Sequence, residues 1–226
     1  MHIKSYILLI LFFIAAAKTY SQSTYRFGSI PSINLNKDLK RGWNLNYKSE
    51  FRYMFEEGIK NISPSIQQKY IHTDFSLLAS KNIGLGNKFA FGFLARVTNK
   101  RIIQRYIQQF IILRNYDGFR MSYRFSADQT FGESNVFRFR YRTSSEIPLE
   151  GLKVDKSEFY LKLNQEILNN FQSNNYDMEL RFVPNLGYKF KDNNKVEIGV
   201  DYRINNFLKT LPRHTVFVAL NWYVKI

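Results

Sequence analysis

The sequence predicts an all-β chain that closes into a transmembrane, antiparallel up-and-down β-barrel of about 10–12 strands. Three observations carry this expectation. Polar and apolar residues alternate with a period of two along most of the chain. The alternating segments are about ten residues long and recur between turn-like stretches rich in Gly, Asn, Asp and Lys. Beyond the N-terminus, no second run of about 18 or more apolar residues exists, so any membrane crossing has to be made by strands.

The N-terminus is set aside first. Lys4 precedes an apolar run from Tyr6 to Ala17, about a dozen residues, which is too short for the roughly 20 helical residues a bilayer requires. Thr19 and Ser21 satisfy the small-x-small rule for signal-peptidase cleavage. Residues 1–21 read as a cleaved signal peptide, and residues 22–226 as a single barrel domain beginning at Gln22. Export follows, and with the barrel it places the protein in the outer membrane of a Gram-negative bacterium.

Composition then excludes several classes. With no cysteine, the chain has no disulfide framework, no thiolate metal site and no cysteine nucleophile. The net charge of +15 falls to +13 once Lys4 and Lys18 leave with the leader, and the mature chain keeps nearly all of the 15 Tyr and 21 Phe. Basic plus aromatic can signal nucleic-acid binding. Here the charges do not cluster into an arm or stripe but alternate with the aromatics, so they report strand faces and no nucleic-acid partner is expected.

The strands follow in order. Irregular segments fall near 25–36, 66–79, 88–97 and 101–114. In the last of these, Ile102, Ile103, Ile107, Ile111 and Ile112 occupy both parities and leave the faces unassigned. Regular alternation places Trp43, Leu45, Tyr47, Phe51, Tyr53 and Phe55 opposite Asn44, Asn46, Lys48, Glu50 and Arg52. It recurs in Phe119–Phe125 and Phe137–Tyr141. It continues with Phe159–Leu163 against Tyr160 and Lys162, Leu180–Phe190 against Glu179, Arg181 and Asn185, and Val196–Ile204 against Glu197, Asp201 and Arg203. Turns are expected at Asn36–Gly42, Lys81–Lys88, Asn115–Gly118, Gly132–Asn135 and Lys191–Lys195. Longer connections are expected at Glu56–Ser65, Glu146–Asp155, Asn169–Asp177 and Asn205–Arg213. Eleven segments result, whereas single-chain bacterial barrels close with an even number. Twelve strands are therefore favoured, with Pro31 splitting Tyr25–Leu35 or the 101–114 stretch misassigned.

Alternation alone fits a soluble barrel with an apolar interior as well as a membrane barrel with an apolar exterior. Strand length matches a tilted crossing, and the charged face mixes Arg or Lys with Asp, Glu and Asn as an aqueous lumen would. The last strand, Val216, Val218, Leu220, Trp222, Val224 and Ile226, alternates to the final residue. Such an end is what the barrel-insertion machinery reads, so that machinery and outer-membrane lipid are the expected partners. Phe51, Tyr53, Phe119, Tyr123, Phe137, Phe139, Phe159 and Tyr188 are expected to face lipid.

The stretch Gly42–Tyr53, the strand Val136–Arg142 leading to Glu146-Ile147-Pro148, and the final strand His214–Ile226 resemble the outer-membrane barrel family known as domain of unknown function 2490. The likeness extends in order and strand rhythm over almost all of the mature chain. It implies the barrel and its location, and it supplies no activity.

For chemistry, the mature chain offers His72, beside Thr73 and Asp74, and His214, beside Thr215. Neither carries the His-x-Ser-Asn-Gly pattern of outer-membrane phospholipases, and two distant histidines without a third ligand do not make a zinc site. Asp192–Asn194 reads as a solvated turn, and Gly84-Leu85-Gly86 lacks the following helix of a phosphate loop. No catalytic residue, cofactor or metal is expected. The remaining constellation is a charge cluster facing the lumen: Arg120, Arg124, Asp128, Arg138, Arg140, Arg142, Glu158 and Glu166. If the Gly132–Asn135 turn closes a hairpin, Asp128 faces Arg138 and Arg124 faces Arg142. The expected function is a non-enzymatic barrel, either a narrow channel or a structural element. The alternatives are a membrane-embedded lipid hydrolase or acyltransferase using a histidine, and a soluble periplasmic ligand-binding barrel.

Overall fold

In the computed structural model the described residues are 24–59, 65–131, 135–172, 175–191 and 193–226. Residues 1–21, expected to be a cleaved signal peptide, and the expected cleavage site lie outside them. Eleven strands form one closed barrel: β1 Thr24–Asp38, β2 Trp43–Ile59, β3 Ser65–Asn82, β4 Asn87–Val97, β5 Ile102–Tyr116, β6 Phe119–Phe131, β7 Val136–Pro148, β8 Glu158–Gln172, β9 Asn175–Lys191, β10 Asn194–Asn205 and β11 Arg213–Lys225. Each strand pairs antiparallel with its chain neighbours, and β1 closes the barrel on β11 in parallel.

The favoured count of twelve is thus corrected to eleven. An odd number of up-and-down strands brings the first and last into the same direction, and the register runs in parallel from Thr24 opposite Arg213 to Asn36 opposite Lys225. Pro31 does not split β1. The ladder to β11 continues through Pro31, opposite Leu220, while the ladder to β2 omits Ile30 and Pro31, the side on which proline's missing N–H falls. A bulge at Phe27/Gly28 shifts the β1–β2 register at a point where a Cβ on Gly28 would lie 2.1 Å from the Tyr53 carbonyl oxygen. The connection expected at Asn169–Asp177 is also shorter than read, because β8 extends to Gln172 and β9 begins at Asn175.

The two mouths differ in their connections. The C-terminal mouth holds Ile226 and the turns at 39–42, 83–86, 117–118 and 149–157; the N-terminal mouth holds Thr24 and the connections at 98–101 and 206–212. Alternation places neighbours on opposite sides: Phe159 is 51% exposed on the outer surface, while Tyr160, next in the chain, is fully buried inside. All eight aromatic residues expected to face away from the lumen do so, Tyr53, Phe137 and Phe139 among the most open. On β5 the lumen side is Arg105, Ile107, Gln109, Ile111 and Leu113, which resolves the strand the sequence left open.

Most aromatic pairs on the outer surface lie toward one end of the strands or the other, with Phe125–Tyr141 at mid-strand. Phe27–Phe55, Tyr53–Tyr70, Tyr106–Phe131, Phe137–Phe171 and Phe171–Tyr176 lie toward the N-terminal mouth. Trp43–Phe91, Tyr116–Phe119, Phe159–Tyr188 and Tyr188–Phe190 lie toward the C-terminal one. No helix among the described residues is long and apolar enough to cross a membrane.

Candidate functional site

The lumen is where this chain places its ionisable groups, and the pairing of adjacent strands decides who meets whom. β6 and β7 pair with Asp128 opposite Arg138, Arg124 opposite Arg142 and Arg120 opposite Glu146. Asp128 is 1% exposed; it accepts a hydrogen bond from Arg140 at 3.0 Å and lies 3.9 Å from the Arg138 Nε. Glu166, on β8, accepts from Arg142 at 2.6 Å, contacts Arg181 of β9 at 3.1 Å and lies 3.7 Å from Arg140. Two buried carboxylates are thus shared among a run of three arginines and a fourth from β9, which offsets part of their charge. This is the arrangement that makes closely spaced like charges tolerable.

Other members of the expected cluster sit apart from this centre. Arg120 donates to Glu146 at 2.6 Å near the C-terminal mouth, where Lys195 approaches the second Glu146 oxygen at 3.5 Å. Glu158 opens β8 and accepts from the backbone N–H of Asp155 at 2.8 Å, a loop-fastening role outside the cluster. Arg124 lies between Arg142 and Ile111 in the register, and its buried Nε has no hydrogen-bond partner.

The paired charges extend well past the expected cluster. Arg181 contacts Glu179, which also accepts from Asn205 at 2.6 Å. Arg203 grips Asp201 through two hydrogen bonds of 2.8 and 2.7 Å. Phe217 then carries the girdle across the seam, with Arg203 5.1 Å from its ring centroid and Arg52 5.4 Å. Arg52 and Lys48 both donate to Glu50, at 2.9 and 2.7 Å. Arg96 and Asp74 form a bidentate pair at 2.7 Å, and Arg105 reaches Thr130 at 3.3 Å, beside the start of the circuit. Toward the C-terminal mouth a second knot centres on Glu197, 2% exposed, which accepts from Tyr160 at 2.9 Å, Lys162 at 2.7 Å and Tyr223 at 3.2 Å.

Sequence reasoning did not assemble these groups, although one signal was available. An acid followed two residues later by arginine recurs as Glu50-Phe51-Arg52, Glu179-Leu180-Arg181 and Asp201-Tyr202-Arg203, and on a strand that spacing puts both partners on one face. The lumen cavity measures about 740 Å3 and is lined by fifteen Arg and Lys side chains against seven Asp and Glu. Its field is therefore positive.

The two histidines sit on opposite faces of the barrel wall. His72 is buried in the lumen 3.7 Å from Asp74 with its Nε2 lacking a hydrogen-bond partner, and the adjacent Thr73 hydroxyl is engaged by Tyr70 at 2.8 Å. His214 is on the outer surface, stacked on Tyr202 and hydrogen-bonded to its hydroxyl through Nδ1 at 2.7 Å. Among the described residues no group of three or more His, Cys, Asp and Glu is placed to hold a metal. Asp192 lies outside the described residues.

A family model described as Protein of unknown function (DUF2490) matches residues 27–212. The match covers β2 to β10 and most of β1 and stops before β11, so the last strand, which contributes to the resemblance in the sequence, lies beyond it. No curated protein and no solved structure matches the chain.

Proposed function

Since the chain belongs to the DUF2490 family of proteins of unknown function, its role has to come from its own geometry, and we propose that it is an outer-membrane barrel with a narrow, cationic lumen that admits small anions. The observation that carries this reading is the division of the strand residues between two solvents. Inside are the arginine-rich pairs; outside, the middle of the strands bears mostly Phe, Leu, Ile, Val and Tyr with a few neutral polar residues such as Gln108 and Gln165, and charged outward residues such as Lys37, Lys81 and Arg114 stand at strand ends. An exposed apolar band of this extent costs too much in water and little in lipid. The aromatic clusters near both strand ends suit the two bilayer interfaces.

Size supports a narrow rather than a wide path. Eight-stranded barrels are filled by side chains, while barrels of 16–18 strands leave an open channel. Eleven strands with a cavity of about 740 Å3 fall between. The surplus of fixed positive charge excludes cations and attracts anions. Membrane fractionation with a gel assay for heat-modifiable mobility tests the placement: the folded protein should sediment with outer membranes and migrate differently before and after boiling. A purely soluble product would end this reading.

A further inference from the structure

We propose that the lumen holds a specific site for a small amphipathic anion, a single carboxylate carrying an apolar tail, between Arg124 and the apolar wall of β3–β5. This deepens the reading of the lumen as anion-accepting and rests on it.

Two observations meet at Arg124. The first is electrostatic. The guanidinium faces Arg142 across the β6–β7 pair, its Nε is buried without an acceptor, and no carboxylate among the described residues forms an ion pair with it. Arg138, Arg140 and Arg142 each have Asp128 or Glu166 within 4 Å. A half-buried cation whose Nε is closed off without an acceptor, and which has no counter-ion of its own, gains from a bound carboxylate. Ser122 and Ser144, register partners one step toward the C-terminal mouth, add hydroxyl groups beside the same point.

The second observation is apolar. Two groups of hydrophobic side chains line the lumen: Ile30, Met54 and Phe217 pack on one another on β1, β2 and β11, while Leu78 on β3, Ala90 and Leu94 on β4, and Ile107, Ile111 and Leu113 on β5 form a wall on three adjacent strands. A lumen that only passed hydrated ions would gain nothing from this wall. Ile111 is the register partner of Arg124, and Leu113 that of Ser122, so the apolar wall begins where the unpaired cation sits. Head and tail of one ligand would contact adjacent strands of the same sheet, the carboxylate on β6 and β7 and the tail along β5 toward β4 and β3.

Hexanoate is a suitable probe, with acetate as the control of equal charge. Protein in lipid nanodiscs is titrated with each by calorimetry, and empty nanodiscs correct for partition into lipid. Each methylene moved from water to an apolar wall is worth roughly a fourfold factor in affinity, so hexanoate is expected to saturate one site at least tenfold more tightly than acetate. Arg124→Gln should weaken hexanoate at least tenfold. Ile111→Asn should weaken hexanoate while leaving acetate unchanged. Heat-modifiable mobility of each variant establishes that it is folded. Equal binding of hexanoate and acetate, the absence of a saturable site, or a folded Arg124→Gln variant that binds as the parent does would overturn the proposal. Failure to enter nanodiscs at all would instead count against the membrane placement on which the site rests.

Discussion

Arg140, and not its neighbour Arg138, makes the close contact to Asp128, although Arg138 is the residue directly opposite Asp128 in the β6–β7 register. The charge partner is therefore a diagonal neighbour, within the reach of a long side chain across an antiparallel pair. That leaves Arg138 free to donate to Thr130 at 3.4 Å and brings Arg140 between Asp128 and Glu166. Neutralising Asp128 removes the closest acceptor of Arg140 and the nearest carboxylate of Arg138 together. Asp128→Asn should lower folding stability by about 3 kcal/mol, the cost of stranding buried charge, read as a lower urea midpoint for the folded band. An unchanged midpoint would mean that lumen water, not Asp128, compensates these arginines.

The inside-out assignment is tested by placing one charge on each face. Phe125 is mid-strand on the outer surface of β6, and Asn164 lines the lumen on β8. Phe125→Arg should cost about 2–4 kcal/mol if that position lies near the bilayer midplane, and Asn164→Arg little. Equal tolerance in urea titrations of the two lipid-embedded variants would contradict a lipid-facing exterior.

Tyr160 lies flat over Gly187, its register partner, on the way to Glu197; a Cβ added at Gly187 would fall 2.2 Å from the ring. Gly187→Ala should push the ring aside, break the hydrogen bond to Glu197 and destabilise the barrel by about 1–3 kcal/mol. Tyr160→Phe, which keeps the ring and removes the hydroxyl, should cost less. If the alanine variant is as stable as the parent, the close packing of this ring on the strand is not structurally important.

The parallel closure puts Thr24 and Ile226 at opposite mouths. The chain has no cysteine, so single Cys substitutions label uniquely. With a membrane-impermeant maleimide on intact cells, Thr24→Cys should follow Asn99→Cys, and Ile226→Cys should follow Leu85→Cys. Labelling of Thr24 and Ile226 from the same side would rule out eleven strands.

Most of the architecture was legible in the sequence because strand identity and strand face are local properties. Phe137, Phe139 and Tyr141 against Arg138, Arg140 and Arg142 reveal both within six residues, and the few residues of chain separating two such strands were enough to set the Asp128–Arg138 and Arg124–Arg142 pairs. Closure was not legible. Pairing of β1 with β11 joins residues nearly 190 positions apart, and nothing local in either strand reports its partner's direction. β5 was opaque for a related reason. Alternation fails as a guide where the lumen is itself partly apolar, as it is at Ile107 and Ile111, and where the outer face carries Gln104 and Gln108. Glu158 was misplaced because strand parity gives the face but not the height, and its position at the first residue of β8 puts it at the mouth.

The most direct test of the account is the reversal potential of the purified protein in planar bilayers under a salt gradient. The account predicts a small conductance that prefers anions, with Arg138→Glu plus Arg140→Glu shifting the reversal potential toward cations. Cation-selective conductance that the two substitutions leave unchanged, or a lumen that passes no ions, would contradict it.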